Sequence, residues 1–260
     1  AARERRAAEA ARIAALRTEL TAQNKVANDN RPKRDVLKKL DSTLKKNTAF
    51  IKKIRLVGPD NIAALLEELN KLNMSRYMSE LAAAVVDSRL KQADIFPIAH
   101  LCSKLHQRYA DFTVELLPAL TRRFTELEND DGGHERQQNF TRRRALLRLM
   151  VQLVSLHCVD DEQNEPENEL KYGAWLLKLV QSLIENDQQL KSKAEVDAPQ
   201  QYNLALVATF AKQGKQTLLG LAAISNADDD DVKIEKENTQ RQADDQDEDE
   251  DEDDDDDEDV

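Results

Sequence analysis

Ile62, Leu65, Leu66, Leu69 and Leu72 fall at i, i+3, i+4, i+7 and i+10. At about 100° per residue that spacing gathers them on one helix face and scatters them over both faces of a strand. The same period returns four times: Tyr77, Leu81, Val85 and Leu90; Ile98, Leu101, Cys102, Leu105 and Tyr109; Leu116, Leu117, Leu120, Phe124 and Leu127; Leu146, Leu147, Met150, Leu153, Val154 and His157. No segment of comparable length alternates with period two. Gly and Pro number 6 each, and aromatics make up 4% of 260 residues, so little in the composition favours sheet. The chain reads as all-α.

The helix ends are marked less sharply. Val36, Leu37, Leu40, Leu44, Phe50, Ile51 and Ile54 predict one long amphipathic helix stopping before Gly58-Pro59. Asn73-Met74-Ser75 predicts a turn with Ser75 as N-cap, Pro97 suits a first turn, and Pro118 predicts a kink or restart. Polar loops are expected at 128–133 and 160–168, with Pro166, Glu167 and Glu169 opening the next helix. That helix is apolar on two sides, Leu170, Leu177, Val180 and Ile184 against Leu176, Leu179 and Leu183, which predicts a place in the middle of a layer. A last helix, about Pro199 to Leu219, is carried by Leu204, Val207, Phe210 and Ala211. Residues 1–22 form an Ala/Arg/Glu helix with the narrow stripe Ile13, Leu16 and Leu20, broken by Asn28-Asp29-Asn30-Arg31-Pro32.

About eight helices in roughly four antiparallel hairpins make a HEAT-like solenoid. Three parts are expected: a basic helical extension or linker at 1–34, the helical domain at 35–226, and an acidic tail at 227–260 that cannot fold alone. The formal net charge of −12 hides that division. The tail holds 21 acids and 3 bases, whereas residues 1–57 hold 16 bases and 6 acids.

The reactive residue types form no reactive set. Cys102 and Cys158 lack CxxC spacing and read as buried, reduced thiols of an intracellular protein. Cys102 and His106 share a helix face, but a zinc site needs two more ligands. In Gln213-Gly214-Lys215-Gln216-Thr217 the Gly expected at position 209 is Thr209, and Gln216 stands where Ser or Thr is required, so no phosphate loop results. No nucleophile motif is present, and no run approaches the ~20 apolar residues of a membrane span. The expectation is a protein without catalytic activity, cofactor or membrane contact. The chain begins without Met and reads as a piece of a longer one.

Charge is where the sequence points to a surface. Lys38, Lys39, Lys45, Lys46, Lys52, Lys53 and Arg55 recur in pairs seven residues apart on the expected long helix, opposite its apolar side. Arg142, Arg143 and Arg144 form a second cluster at an expected helix start, the unfavourable end for cations. One reading is a surface for RNA phosphates or an acidic partner. The other is an ordinary solvated face, since no aromatics interleave the run. For the tail, either a linker or a competitor of nucleic acid for the basic surface is expected, and Ser225 suits an acid-directed kinase.

The stretches 40–53 (Leu-Asp-Ser-Thr-Leu-Lys-Lys-Asn-Thr-Ala-Phe-Ile-Lys-Lys), 73–77 (Asn-Met-Ser-Arg-Tyr) and 100–112 (His-Leu-Cys-Ser-Lys-Leu-His-Gln-Arg-Tyr-Ala-Asp-Phe) resemble the middle domains of initiation factor four-G type, in particular those of nonsense-mediated mRNA decay scaffolds. The likeness covers roughly Ala22 to Thr113, and 202–214 more loosely. It implies a stack of helical hairpins and a scaffold or adaptor role in mRNA surveillance. The partners implied are the surveillance helicase, a third decay factor and the surveillance kinase complex, mostly through parts outside this chain. A cytoplasmic place, the perinuclear zone included, goes with that role. The alternatives are a direct RNA-binding helical module and a translation-initiation-type domain that binds a helicase.

Overall fold

In the computed structural model, residues 2–128, 133–159, 174–191 and 199–215 are described. The helices are α1 (Ala2–Lys25), α2 (Ala27–Asn30), α3 (Arg34–Leu37), α4 (Leu44–Ile54), α5 (Ile62–Lys71), α6 (Met78–Asp87), α7 (Ile95–Arg108), α8 (Ala110–Glu126), α9 (Gly133–Ser155), α10 (Ala174–Lys191) and α11 (Pro199–Gly214). Among the described residues there is no strand, only a lone bridge between Asp41 and Leu72.

From α4 onward α4/α5, α8/α9 and α10/α11 pair as hairpins, α6 and α7 follow in sequence without close pairing, and the helices stack in two layers. One layer holds α4, α6, α8 and α10, and the other α5, α7, α9 and α11. This is the HEAT-like arrangement expected from the period. Within a layer the helices run alike, as side-chain contacts at their ends show. Arg55, just past α4, reaches Asp87 at the end of α6 (3.3 Å), while Arg108 at the end of α7 donates to the Leu69 carbonyl near the end of α5 (2.7 Å). Phe50, Ile54, Leu69, Leu81, Leu101, Leu105, Leu116, Leu120 and Leu147 fill the seam between the layers.

Several ends differ from expectation. Residues 36–54 are not one helix: α3 stops at Leu37, and the chain turns so that the Asp41 N–H donates to the Lys71 carbonyl (3.0 Å) and Asn73 donates back to Asp41 (2.8 Å). Ser75 caps nothing; its hydroxyl donates to Asn73 Oδ1 (2.7 Å) and α6 begins at Met78. α8 passes through Pro118 without a restart. On α10 only one side is covered: Leu176, Val180 and Leu183 are buried, whereas Leu177 and Ile184 are open. On α11 the buried face is Asn203, Leu206 and Phe210, with Leu204 outside. Positions 129–132, the loop at 160–168, the helix start at Pro166, Leu219, Ser225 and the acidic tail lie outside the described residues.

The N-terminal helix joins the same core. Leu20 is fully buried, and Asn24 and Ala27 nearly so. α9 ends in a Schellman motif, with Cys158 N–H on the Leu153 carbonyl, His157 N–H on Val154, and His157 at φ 54°. The carbonyl left over, that of Leu156, accepts Asn24 Nδ2 at 2.6 Å. Asn24 Oδ1 meanwhile accepts from Ser103 (2.9 Å) and Gln107 (2.7 Å) of α7. One amide thus fastens α1 to α7 and to the end of α9, so the core reaches well before Asp35.

Candidate interaction surface

α4 starts at Leu44 because Thr43 is extended and Asp41 folds under it: the Asp41 carboxylate accepts the Thr43 N–H at 2.8 Å and faces Lys46. The Lys46 hydrogen bond, then those from Thr43, hold the Asp41 carboxyl well below its usual range. The helix buries Asn47, Phe50 and Ile54 and turns its lysines outward. Much of their charge is spoken for. Lys53 pairs with Glu68 on α5 at 2.7 Å, Arg55 with Asp87, and Lys38 with Asp35 at 3.2 Å. Lys38 and Lys39 also sit before the break at Asp41, off the helix that carries the rest. Lys45 and Lys52 remain exposed with no ion pair among the described residues, two turns apart on one column, about 10 Å by helix rise.

The arginine triplet lies inside α9, not at its start, because the helix begins at Gly133. Its members go three ways. Arg143 is 5% exposed; its guanidinium meets Glu128 at 3.1 Å and covers the Phe124 ring at 4.5 Å. Burial lowers its pKa, with Glu128 opposing. Arg143 therefore belongs to the core and offers nothing to a phosphate. Arg144 donates to Thr209 of α11 at 3.2 Å, locking the last hairpin. Arg142 is half-buried, its pKa lowered by burial first and then by Arg123 and Arg89, with Asp87 acting the other way. That grouping joins positions distant in sequence. Arg55, Arg89, Arg123 and Arg142 gather where α4, α6 and α8 end, around Asp87. The sequence marked Arg55 and Arg142 separately, but not Arg89 or the Arg122-Arg123 doublet, with no sign that they meet.

The thiols and imidazoles are built into the core. Cys102 is fully buried, and burial raises its pKa well above that of a free thiol, leaving it protonated and unreactive. Cys158 is buried as well and accepts a contact from Asn24 Nδ2 at 3.3 Å. His106 faces Thr113 at 3.4 Å instead of joining Cys102 as a ligand. Among the described residues no three His, Cys, Asp or Glu side chains group as a metal would require. No helix among them is long and apolar enough to cross a membrane. Gln213 and Gly214 are the last turn of α11, as a helix end and not a phosphate loop would have it.

Residues 44–163 match the MIF4G domain. The chain is 32% identical over 206 residues to regulator of nonsense transcripts 2 of Mus musculus, covering 79% of this chain and 14% of that protein. To regulator of nonsense transcripts UPF2 of Arabidopsis thaliana it is 29% identical over 216 residues, covering 83% and 17%. It therefore spans less than a fifth of the curated relatives it matches. A crystal structure of the first MIF4G domain of human nonsense mediated decay factor UPF2 is similar with a TM-score of 0.62 and 29% identity, over 80% of this chain and 60% of that one.

Proposed function

Residues 44–163 belong to the MIF4G domain family and the chain is homologous to regulator of nonsense transcripts 2; from this we propose that it is a scaffold module of nonsense-mediated mRNA decay. It works in the cytoplasm through protein contacts on the outsides of its helices, and carries out no reaction of its own. The observation that supports this reading is the likeness to proteins named for nonsense transcripts along 79% of the chain. The stacked hairpins suit the role, because helices such as α4, α5 and α8 present a solvated face while their apolar stripe is used in the seam. The test is decay of a premature-stop reporter mRNA in cells whose only copy of the full-length protein lacks residues 44–163. The reporter should be stabilised. Unchanged reporter half-life would overturn the assignment.

A second reading, RNA contact, has one observation in its favour: Lys45 and Lys52 are spare cations on one column of α4. If they touch phosphates, Lys45→Glu with Lys52→Glu should lower the slope of log K against log salt by about 0.7 for each phosphate they had neutralised. An unchanged slope leaves the scaffold reading by itself.

A further inference from the structure

We infer that the groove between α6 and α8, closed at one end by arginines, is the docking site for a protein segment in which small apolar residues lead into a run of carboxylates. This rests on the protein-scaffold reading and names the surface it uses. The groove encloses about 610 Å³, within the range of ligand clefts, and its floor is Ser79, Ala82, Ala83 and Val86 of α6 with Pro118 and Ala119 of α8. Small side chains keep the floor low.

The end at Asp87, Arg122 and Arg123 is charged out of balance. Asp87 pairs with Arg55 at 3.3 Å, and Glu126 serves both Arg122 (3.8 Å) and Arg123 (3.3 Å). Among the described residues, Asp87 and Glu126 meet Arg55, Arg122 and Arg123 at this end, and Arg89 and Arg142 lie within electrostatic reach of Asp87 and Arg123. The carbonyl ends of α6 and α8 account for a cation apiece. They do not account for Arg142, whose pKa is lowered first by burial and then by the neighbouring charges of Arg123 and Arg89. An anion arriving from outside would relieve that repulsion, and arginine forks fit carboxylates in pairs.

The remainder of the groove selects a peptide over a nucleic acid. Glu115 stands at the opposite end and would repel a polyanion laid along the channel. The floor offers apolar contacts that phosphates and sugars do not use. Phe124, the aromatic ring closest in sequence to these arginines, is buried beneath Arg143 and offers bases no stacking platform. A segment with its apolar part near Ala83 and its carboxylates at Arg122 meets both ends favourably.

The test uses the full 260-residue chain and a fluorescein-labelled peptide of one lysine, a run of alternating alanines and leucines, and a terminal run of aspartates. Anisotropy is read against salt. Arg89→Glu with Arg122→Glu, both exposed positions, should weaken binding roughly tenfold and flatten its salt dependence. Ala83→Gln, which fills the floor without adding charge, should weaken binding about threefold and leave the salt slope as it was. Lys45→Glu with Lys52→Glu should change neither. Circular dichroism shows whether the variants stay folded, and Arg122→Gln gives a milder substitute for the charge reversal. The inference falls if the unaltered chain does not bind the peptide. It falls too if an asparagine version binds equally well, or if the arginine variant loses an oligouridylate RNA while keeping the peptide. Failure here leaves the reporter result standing, and a null reporter result leaves the peptide measurement standing.

Discussion

Arg143 illustrates how a residue changes meaning with its helix. In sequence it is one of three adjacent arginines, but it precedes Leu146, Leu147 and Met150 by three, four and seven positions and so falls on their face. The placement was legible once α9 is known to begin at Gly133; what concealed it was an expected start too far along the chain. Arg143→Ala should destabilise the protein by about 2 kcal/mol, from a largely buried ion pair and a cation–π contact, as equilibrium urea unfolding would measure. The same variant should leave RNA and acidic-peptide affinities unchanged. Asp41 makes a pH prediction. Its folded pKa is depressed, so its stabilisation is complete above the ordinary carboxylate range near pH 4 and is lost as pH falls toward the folded value. Unfolding midpoints of the parent and of Asp41→Asn should therefore differ at neutral pH and converge in strong acid.

Elements were legible wherever a helix is decided by its own stripe, as α5 and α7 are. They were illegible where a remote partner decides. Val36 and Leu44 fit the period of a single long helix, yet they are 52% and 66% exposed, because backbone pairing of Asp41 with the end of α5 breaks the helix between them. Periodicity carries no trace of a pairing made about 30 residues away. Leu177 and Ile184 failed for the complementary reason: an apolar side predicts a neighbour, and among the described residues α10 has one on its other side only. α8 supports a stability prediction. Pro118 supplies no N–H to the Val114 carbonyl, and both residues lie on the solvent side, where water can replace the bond. Pro118→Ala should stabilise the protein by about 1–3 kcal/mol, less than or equal to the full helix-interior penalty, seen as a higher urea midpoint.

For the molecule as a whole, the fold class was readable from period alone, and the charged surface was readable only as a set of cations. Which cations are spent on Asp41, Glu68 and Asp87 depends on neighbours that stacking supplies. The arginine gathering at the ends of α4, α6 and α8 comes from four separate stretches of chain, so it takes the shared direction of those helices and the packing of α9 against α8 to assemble it. The N-terminal helix is the other feature of this scale. Its stripe Ile13, Leu16 and Leu20 is narrow, and its polar residues do much of the fastening. Removing residues 1–33 should lower stability by about 3 kcal/mol or more, from uncovering the Leu20 site and orphaning the Leu156 carbonyl. A truncated chain with an unchanged denaturation midpoint would mean the helix is a detachable extension after all.

The hydrogen bond from Asn24 to Leu156 spans 132 positions of chain. During synthesis the first helix leaves the ribosome long before the carbonyl it will cover exists, an interval on the order of ten seconds at ordinary translation speeds. Until then Leu20 has no complete seat, and the nascent segment must be kept from other apolar surfaces. Closure of the hairpin stack is therefore a late event, and α1 settles only after α9 has been made.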